Sequence, residues 1–181
     1  MMKNVYTLVA VAGLALTTVV SAHAQVSNLL GSGDIKVGIF DPTSSETKHI
    51  SNSSQISVGA DYTTPGLPGV MRPTFYGDYQ SGSKNGGHVN VIGIGVAQKY
   101  SPPLVGTITH VTPYAGIGVG AYRVDIKNPA TGESGTNTTI GGKVFAGLSF
   151  SRWILEANYQ LLPKTKGINP SGIGVQLGMK F

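Results

Sequence analysis

Apolar and polar residues alternate along most of this chain, from about residue 34 to the last residue. A period of two places successive side chains on opposite faces of an extended strand, so the pattern predicts half-exposed β-strands. No stretch sustains the i, i+3, i+4, i+7 spacing of an amphipathic helix over about 11 residues. The alternation defines eight predicted strands, at residues 34–40, 55–62, 70–80, 89–100, 113–126, 139–150, 153–162 and 172–181.

The two faces of these predicted strands differ in residue type. In segment 113–126, Ile117 and Val119 share one face, whereas Gly116 and Gly118 share the other. A soluble barrel buries its large apolar face and exposes polar side chains, but here the opposite face is mostly Gly, Ser, Gln and Asn. A membrane barrel inverts this arrangement, because large apolar residues meet lipid and small or polar residues fill a narrow interior. The pattern therefore predicts an all-β, closed antiparallel up-and-down transmembrane β-barrel of eight strands.

Isolated charges of both signs lie on the predicted inner face. A lone buried charge is costly, so these side chains are expected to form pairs inside the barrel. The alternation cannot assign which pairs form. The predicted lumen charges are Lys36, Asp61, Lys143, Glu156 and Lys180.

Aromatic residues lie at one set of strand ends. If the N-terminus is periplasmic, odd strands run outward and even strands return, so these ends share the periplasmic level. An aromatic girdle is expected at a lipid–water interface. Tyr114 lies at the same level but on the inner face. The predicted interface aromatics are Tyr62, Tyr100, Phe150, Trp153 and Phe181.

The first 24 residues match a secretory leader. Lys3 supplies the positive start, residues 8–20 form an apolar run, and Ala22-His23-Ala24 fits the cleavage pattern. The run is too short for a spanning helix, which needs about 20 residues. We therefore predict a signal peptide at residues 1–24 cleaved after Ala24, a short periplasmic segment at 25–33, and the barrel at 34–181.

Composition narrows the possible functions. The chain has no Cys, which excludes disulfides, thiolate metal sites and a Cys nucleophile. The net charge is +5, but Lys and Arg do not cluster as in nucleic-acid-binding proteins, so no nucleic-acid partner is expected. His49, His88 and His110 are too far apart in sequence for a metal-binding motif, and no dinucleotide motif is present. We expect no metal and no cofactor.

The predicted connections fit alternating strands. Ser151-Arg152 is a tight periplasmic turn, the turn at Pro65-Gly66 is also compact, and the connection 101–111 is unusually long for that side. The outer loops are predicted at residues 41–53, 81–88, 127–138 and 163–169. Lysines outnumber acidic residues in these loops, and a mildly basic outer rim would suit the phosphates of lipopolysaccharide. Outer-membrane lipid and lipopolysaccharide are therefore expected partners.

The chain resembles the small eight-stranded outer-membrane barrels of Gram-negative bacteria, the OmpA/OmpX/OmpW-type proteins. The resemblance rests on the leader, on the Gly-rich segment 113–122, and on a last strand with a terminal aromatic: Ile173, Val175, Leu177, Met179 and Phe181. It implies an outer-membrane location, reading of the terminal aromatic by the barrel-assembly machinery, and periplasmic chaperones as partners. It also implies a non-enzymatic role, either structural, at the lipid surface or in small-solute passage, with a narrow or filled lumen. The sequence leaves the oligomeric state open.

Two alternatives remain from the sequence. A soluble secreted barrel could bind a small apolar ligand inside, in which case residues such as Ile94, Val119 and Leu177 would face inward. A lipid-modifying enzyme of the outer membrane could use Ser51 as nucleophile and His49 as base, since residues two apart on a strand share a face. No catalytic residue is otherwise indicated.

Overall fold

A computed structural model of the chain describes residues 31–65, 71–102 and 111–181. The predicted leader, most of the predicted segment 25–33, and parts of the Pro65-Gly66 turn and the 101–111 connection lie outside these residues. The elements are β1 (Ser32–Pro42), α1 (Ser45–Ser51), β2 (Gln55–Thr63), β3 (Arg72–Lys84), β4 (Gly87–Tyr100), β5 (Val111–Asn128), β6 (Glu133–Phe150), β7 (Trp153–Leu161) and β8 (Gly172–Lys180).

Each strand pairs with its sequence neighbours, and β1 pairs with β8, so the sheet closes into a barrel. All pairings are antiparallel. At the seam, the backbone of Phe181 exchanges two hydrogen bonds with Gly33, 3.0 and 3.2 Å long. The prediction of an all-β, eight-stranded up-and-down barrel is confirmed.

Large apolar side chains cover the outside of the barrel wall. Ile94 is 68% exposed and Val119 is 53% exposed, and Leu177 also faces outward. Unpaired strand edges cannot face hydrocarbon, and the closed sheet removes them. The outward orientation contradicts the alternative of a soluble barrel that buries these residues around a ligand. Among the residues that the structure describes, no helix is long and apolar enough to cross a membrane.

Two of the predicted outer loops are wrong, because strands continue through them. The predicted loop 81–88 is a hairpin whose turn consists of Asn85 and Gly86, both with positive φ (52° and 81°). Asn-Gly is the preferred pair for such a turn, since both positions need positive φ. The predicted loop 127–138 is largely β-strand, and β5 pairs with β6 from Val111–Phe150 up to Asn128–Glu133. The hairpin β5–β6 therefore extends well beyond β7 and β8.

The expectation of no helix is also wrong in one place. Helix α1 lies in the connection between β1 and β2. The Ser44 side chain caps the helix by accepting a hydrogen bond from the Thr47 amide (3.4 Å). Ile50, on the inner face of the helix, is buried against the barrel. A helix this short is marginal in isolation, so tertiary packing stabilises it rather than a sequence-wide period.

The apolar face of β4 and β5 switches sides along each strand. In the lower part of β5, Ile117 and Val119 point outward. In its upper part, Val124 and Ile126 are buried inside, and Arg123 is exposed on the outside. Strand β4 does the same, with exposed apolar residues from Val96 to Ile92 and with Val91 and Val89 buried. The outer ends of these strands thus have the polarity of a water-soluble barrel.

Candidate functional site

A buried ionic network occupies the middle of the barrel. Lys36 on β1 lies at its centre. The Lys36 ammonium donates to Asp61 (2.6 Å) on β2 and to both carboxylate oxygens of Glu156 on β7 (2.9 Å each). None of these three side chains is more than 3% exposed. Inward-pointing positions on the adjacent strands β1 and β2 therefore meet one on β7, which the closed barrel places next but one to β1.

A second ion pair adjoins the first. The ammonium of Lys143 on β6 donates to both oxygens of Asp78 on β3, at 3.0 and 3.1 Å. Lys143 also lies 3.9 Å from Glu156, which joins the two groups, and Gln160 donates to Asp78 at 3.3 Å. Because these charges are paired and hydrogen-bonded, the cost of taking them out of water is offset.

Toward the periplasmic end, the network continues with longer contacts. Asp34 lies 3.7 Å from the Lys36 ammonium and 3.8 Å from that of Lys99. The Lys99 ammonium also lies over the ring of Tyr114, 4.1 Å from its centroid. Lys180 is only half-buried and donates to Ser149 at 2.5 Å.

Tyrosine hydroxyls complete the filling of the lumen. Tyr114 donates to Glu156 (2.9 Å), and the hydroxyls of Tyr76 and Tyr122 are hydrogen-bonded to each other (2.9 Å). Gly95 on β4 lies opposite Tyr76 and must stay a glycine, because a Cβ at this position would lie 2.5 Å from the Tyr76 hydroxyl oxygen. Aromatic side chains thus occupy the space that inward glycines leave open.

Above this polar layer, the interior contains apolar side chains beside the buried amides of Gln55, Gln80 and Gln160. Helix α1 and the β7–β8 connection cover the outer end, and their Ile50 and Ile168 are buried with side chains of β4 and β5. The members of the hydrophobic core that lie at this end are Ile50, Val89, Val91, Val124, Ile126, Leu162 and Ile168. Ions that reached the mouth would face these apolar side chains and then the paired charges.

The structure brings together most of the predicted lumen charges. Lys36, Asp61, Lys143 and Glu156 meet in the network, whereas Lys180 lies apart from them at the periplasmic rim. The sequence reasoning did not include Asp34, Asp78 and Lys99 in this set. Asp34 and Lys99 occupy inward positions of the alternation and could have been found from it. The inward direction of Asp78 could not be predicted, because Pro73 interrupts the alternation of its strand.

The predicted interface aromatics lie at the end of the barrel where β1 begins and β8 ends. Tyr62, Tyr100, Phe150 and Trp153 are exposed on the outside, and Phe181 is half-exposed with its ring close to Gly33. The predicted terminal pattern follows β8, where Ile173, Val175 and Leu177 face outward and Met179 is half-exposed. Tyr114 points inward.

A pocket of about 590 Å³ opens at the outer mouth. It is bounded by α1, the β3–β4 turn, the β5–β6 turn and the β7–β8 connection. Lys84 and Lys166 contribute positive charge to its lining, and Glu46 and Glu133 contribute negative charge. A hydrogen bond from the Ser44 hydroxyl lowers the pKa of Glu46, so this carboxylate stays ionised near neutral pH.

The catalytic alternative does not fit the geometry. Helix α1 places His49 and Ser51 on different faces, because residues two apart are far from aligned on a helix. His49 is exposed, whereas Ser51 is buried, donates to the Thr47 carbonyl (2.7 Å) and accepts from Gln55 (2.8 Å). The expectation that these residues share a face is wrong. Within residues 31–65, 71–102 and 111–181, no group of three or more His, Asp or Glu is arranged to hold a metal ion.

Comparison with solved structures supports the same architecture. Neisserial surface protein A superposes with a TM-score of 0.63 at 17% identity, covering 82% of this chain and 94% of that one. The N-terminal β-barrel domain of Pseudomonas aeruginosa OprF superposes with a TM-score of 0.50 at 13% identity, covering 84% and 98%. At these identities the likeness concerns the fold alone.

Sequence comparison assigns the family. No curated protein is similar enough in sequence to be matched to this chain. The family model described as "Outer membrane protein beta-barrel domain" matches residues 12–181, which is nearly the whole chain. With the closed eight-stranded barrel and its apolar outer wall, this match shows that the chain belongs to the outer membrane protein β-barrel domain family, whose location is the outer membrane.

Proposed function

We propose that this protein is a non-enzymatic, non-conducting outer-membrane barrel whose role lies at its outer surface and its lipid-facing wall. The observation that carries the proposal is the buried network around Lys36 and Glu156. Both side chains are fully buried in the lumen, so solvent does not reach them along the barrel axis. A pore needs a continuous hydrated path, and an eight-stranded barrel is just wide enough for side chains to fill.

The outer half of the interior supports the same conclusion. Val124 and Ile126 are buried there, and helix α1 packs over them with Ile50. A solute that entered the mouth pocket would meet these apolar side chains before the ionic network. The absence of an aligned His49–Ser51 pair supports the non-enzymatic part of the proposal.

Electrical recording tests the proposal directly. The protein, refolded in detergent and shown to be folded by its heat-dependent mobility on a denaturing gel, is added to planar lipid bilayers. We expect no conductance steps, and we expect no swelling of proteoliposomes placed in small sugars or amino acids. Reproducible unitary currents from the wild-type protein would overturn the closed lumen and favour small-solute passage.

We also propose that residues 1–24 are a signal peptide cleaved after Ala24. The residue pattern supports this proposal, and N-terminal sequencing of the mature protein from outer membranes tests it. We expect Gln25 as the first residue.

A further inference from the structure

The outward face of β5 changes from apolar to charged at a single step. Ala121 is the last apolar outward residue of β5, and Arg123 follows it on the same face, exposed. The outward face from Val111 to Ala121 spans about 25 Å along the barrel axis, for a rise of ~3.3 Å per residue and a tilt of ~40°. That height matches the apolar band of an outer-membrane barrel. Arg123 therefore lies where the hydrocarbon ends and the head groups of the outer leaflet begin.

A notch of about 300 Å³ in the outer wall surrounds this arginine. We call it the Arg123 notch. It opens toward the membrane interface rather than into the lumen, and Ile92 forms its membrane side. It is lined by Tyr79, Asn90, Ile92, Arg123, Asp125 and Thr136.

The notch presents free hydrogen-bond donors. Within the described part of the chain, the guanidinium of Arg123 has no hydrogen bond and no ion pair. The Asn90 carbonyl oxygen already accepts from the Ser81 hydroxyl (2.7 Å), so its amide group is left as a donor. A guanidinium beside an amide donor is a combination that binds the oxygens of a phosphate.

The carboxylate in the notch is engaged by its own neighbours. One oxygen of Asp125 is 3.2 Å from the ring nitrogen Nε2 of His88, and the other accepts from the Thr136 hydroxyl at 3.1 Å. Asp125 therefore has partners, whereas Arg123 has none among the described residues. Asp125 keeps its negative charge, but it lies one outward position beyond Arg123 and its oxygens face His88 and Thr136, so the membrane-facing part of the notch presents the unpaired positive charge of Arg123 to an anion.

We propose that the Arg123 notch binds the phosphate of a phosphorylated glycolipid of the outer leaflet, of the lipid A type. The phosphate contacts the Arg123 guanidinium and the Asn90 amide, and the acyl chains lie along the exposed Ile92 and Ile94 below. A lipid fits better than free phosphate because the donors adjoin an apolar wall at the depth of the head groups. The inference rests on the part of the proposed function that places the role at the outer surface and the lipid-facing wall, but it does not depend on the closed lumen.

Native mass spectrometry of the folded barrel, released from detergent micelles, tests this inference. The probes are diphosphorylated lipid A, the same lipid with both phosphates removed, and inorganic phosphate. The variants are Arg123→Gln and the matched control Lys127→Gln, which removes the same charge four residues further along β5 on the same face. We expect binding of diphosphorylated lipid A to weaken about tenfold in Arg123→Gln, the size of one lost charged hydrogen bond, and less than twofold in Lys127→Gln.

Several results would overturn the proposal. Equal losses in the two variants would mean general attraction to the basic surface, and equal binding of phosphorylated and dephosphorylated lipid would mean acyl contacts alone. Displacement of the lipid by millimolar phosphate would identify free phosphate as the ligand. The variant Asn90→Leu removes the amide donor but no charge, and a loss of several-fold is expected; unchanged binding counts against the site.

Failure of this inference is distinguishable from failure of the proposed function. Heat-dependent gel mobility reports whether each variant is folded, and bilayer recording reports whether the lumen is closed. A folded, non-conducting barrel that binds lipid A no better than Arg123→Gln does would reject the Arg123 notch alone.

Discussion

The lower and upper parts of β5 have the same alternation and opposite polarity. Below Ala121, apolar side chains point outward and Gly lines the lumen. Above it, Val124 and Ile126 point inward, while Arg123 and Lys127 point outward. One strand therefore passes from a membrane barrel into a water-soluble barrel without a break in its hydrogen bonding, since β4 and β6 pair with it throughout both parts.

The difference shows that the surrounding solvent, rather than the strand, decides which face carries apolar residues. In lipid, the interior is held together by paired charges such as Lys36 and Glu156. In water, the interior is held together by apolar contacts such as those of Ile126. The two parts should therefore respond differently to the same kind of substitution.

The largest effect is expected from removing one partner of the ionic network. Glu156→Ala leaves Lys36 buried with fewer negative partners, and loss of one partner of a buried pair costs about 3–5 kcal/mol. The free energy of unfolding, measured by urea titration in lipid vesicles, should fall by that amount. Lys180→Met at the half-buried rim is the control, with an expected loss below about 1 kcal/mol. Similar losses in the two variants would contradict the central role of the network.

The second effect tests where the lipid-facing part of the outer wall ends. Val119→Lys places a charge on the lipid-facing wall, between the centre and the outer edge of the apolar band, and should cost about 1–3 kcal/mol, since the cost falls from about 2–4 kcal/mol at the bilayer midplane to about 0–1 kcal/mol at the interface. Thr138→Lys places the same charge outward on β6, at the level of Arg123, and should change stability by less than about 1 kcal/mol near the interface. Vesicle insertion and urea titration measure both. Normal insertion and stability of Val119→Lys would reject the membrane-facing assignment of this wall.

A smaller effect is expected in the upper interior. Ile126→Val removes one methylene from a buried side chain and should cost about 1 kcal/mol. Ile140→Val removes the same group from an outward side chain that is 73% exposed, and it should cost clearly less, because lipid tails fill the space that the smaller side chain leaves. If the two substitutions destabilised the protein equally, the upper part would not be packed as a core.

The smallest effect concerns the β3–β4 turn. Asn85→Ala replaces a residue that tolerates positive φ, and we expect a loss of roughly 0.5 kcal/mol. Because the turn lies at the tip of the β3–β4 hairpin, the loss should appear as faster amide hydrogen exchange near the turn. Exchange that accelerates equally in β7 and β8 would indicate that the hairpin does not open on its own.

The sequence was sufficient to predict the architecture because every strand carries its own alternation. It also predicted the inward direction of Lys36 and Glu156, since a charged residue on the strand face opposite the lipid-facing one must point into the barrel. It failed at the outer ends of β5 and β6, where Thr, Asn and Ser are typical of loops. Near Arg123 the apolar side chains of β5 change from the outer to the inner face. An alternation that is interpreted for lipid alone therefore no longer predicts a strand beyond this point.

Two further differences come from interactions between distant residues. Helix α1 depends on burial of Ile50 against other elements, which no local period reveals. Asp78 joins the network through Lys143, 65 positions away in the sequence, and the break at Pro73 left its facing undetermined. The pairs themselves also could not be assigned, because alternation gives the direction of a side chain but not its partner across the lumen.

The position of Lys36 has a consequence for assembly. Its partners Asp61 and Glu156 lie 25 and 120 positions away in the sequence, on β2 and β7. A chain that has formed only its early hairpins can satisfy the first contact, but the second requires β8 to join β1 to β7. The stabilisation from the Lys36–Glu156 ion pair is therefore absent until β1 pairs with β8. An open sheet lacks the contact with Glu156, so the network stabilises the closed barrel relative to partly assembled sheets.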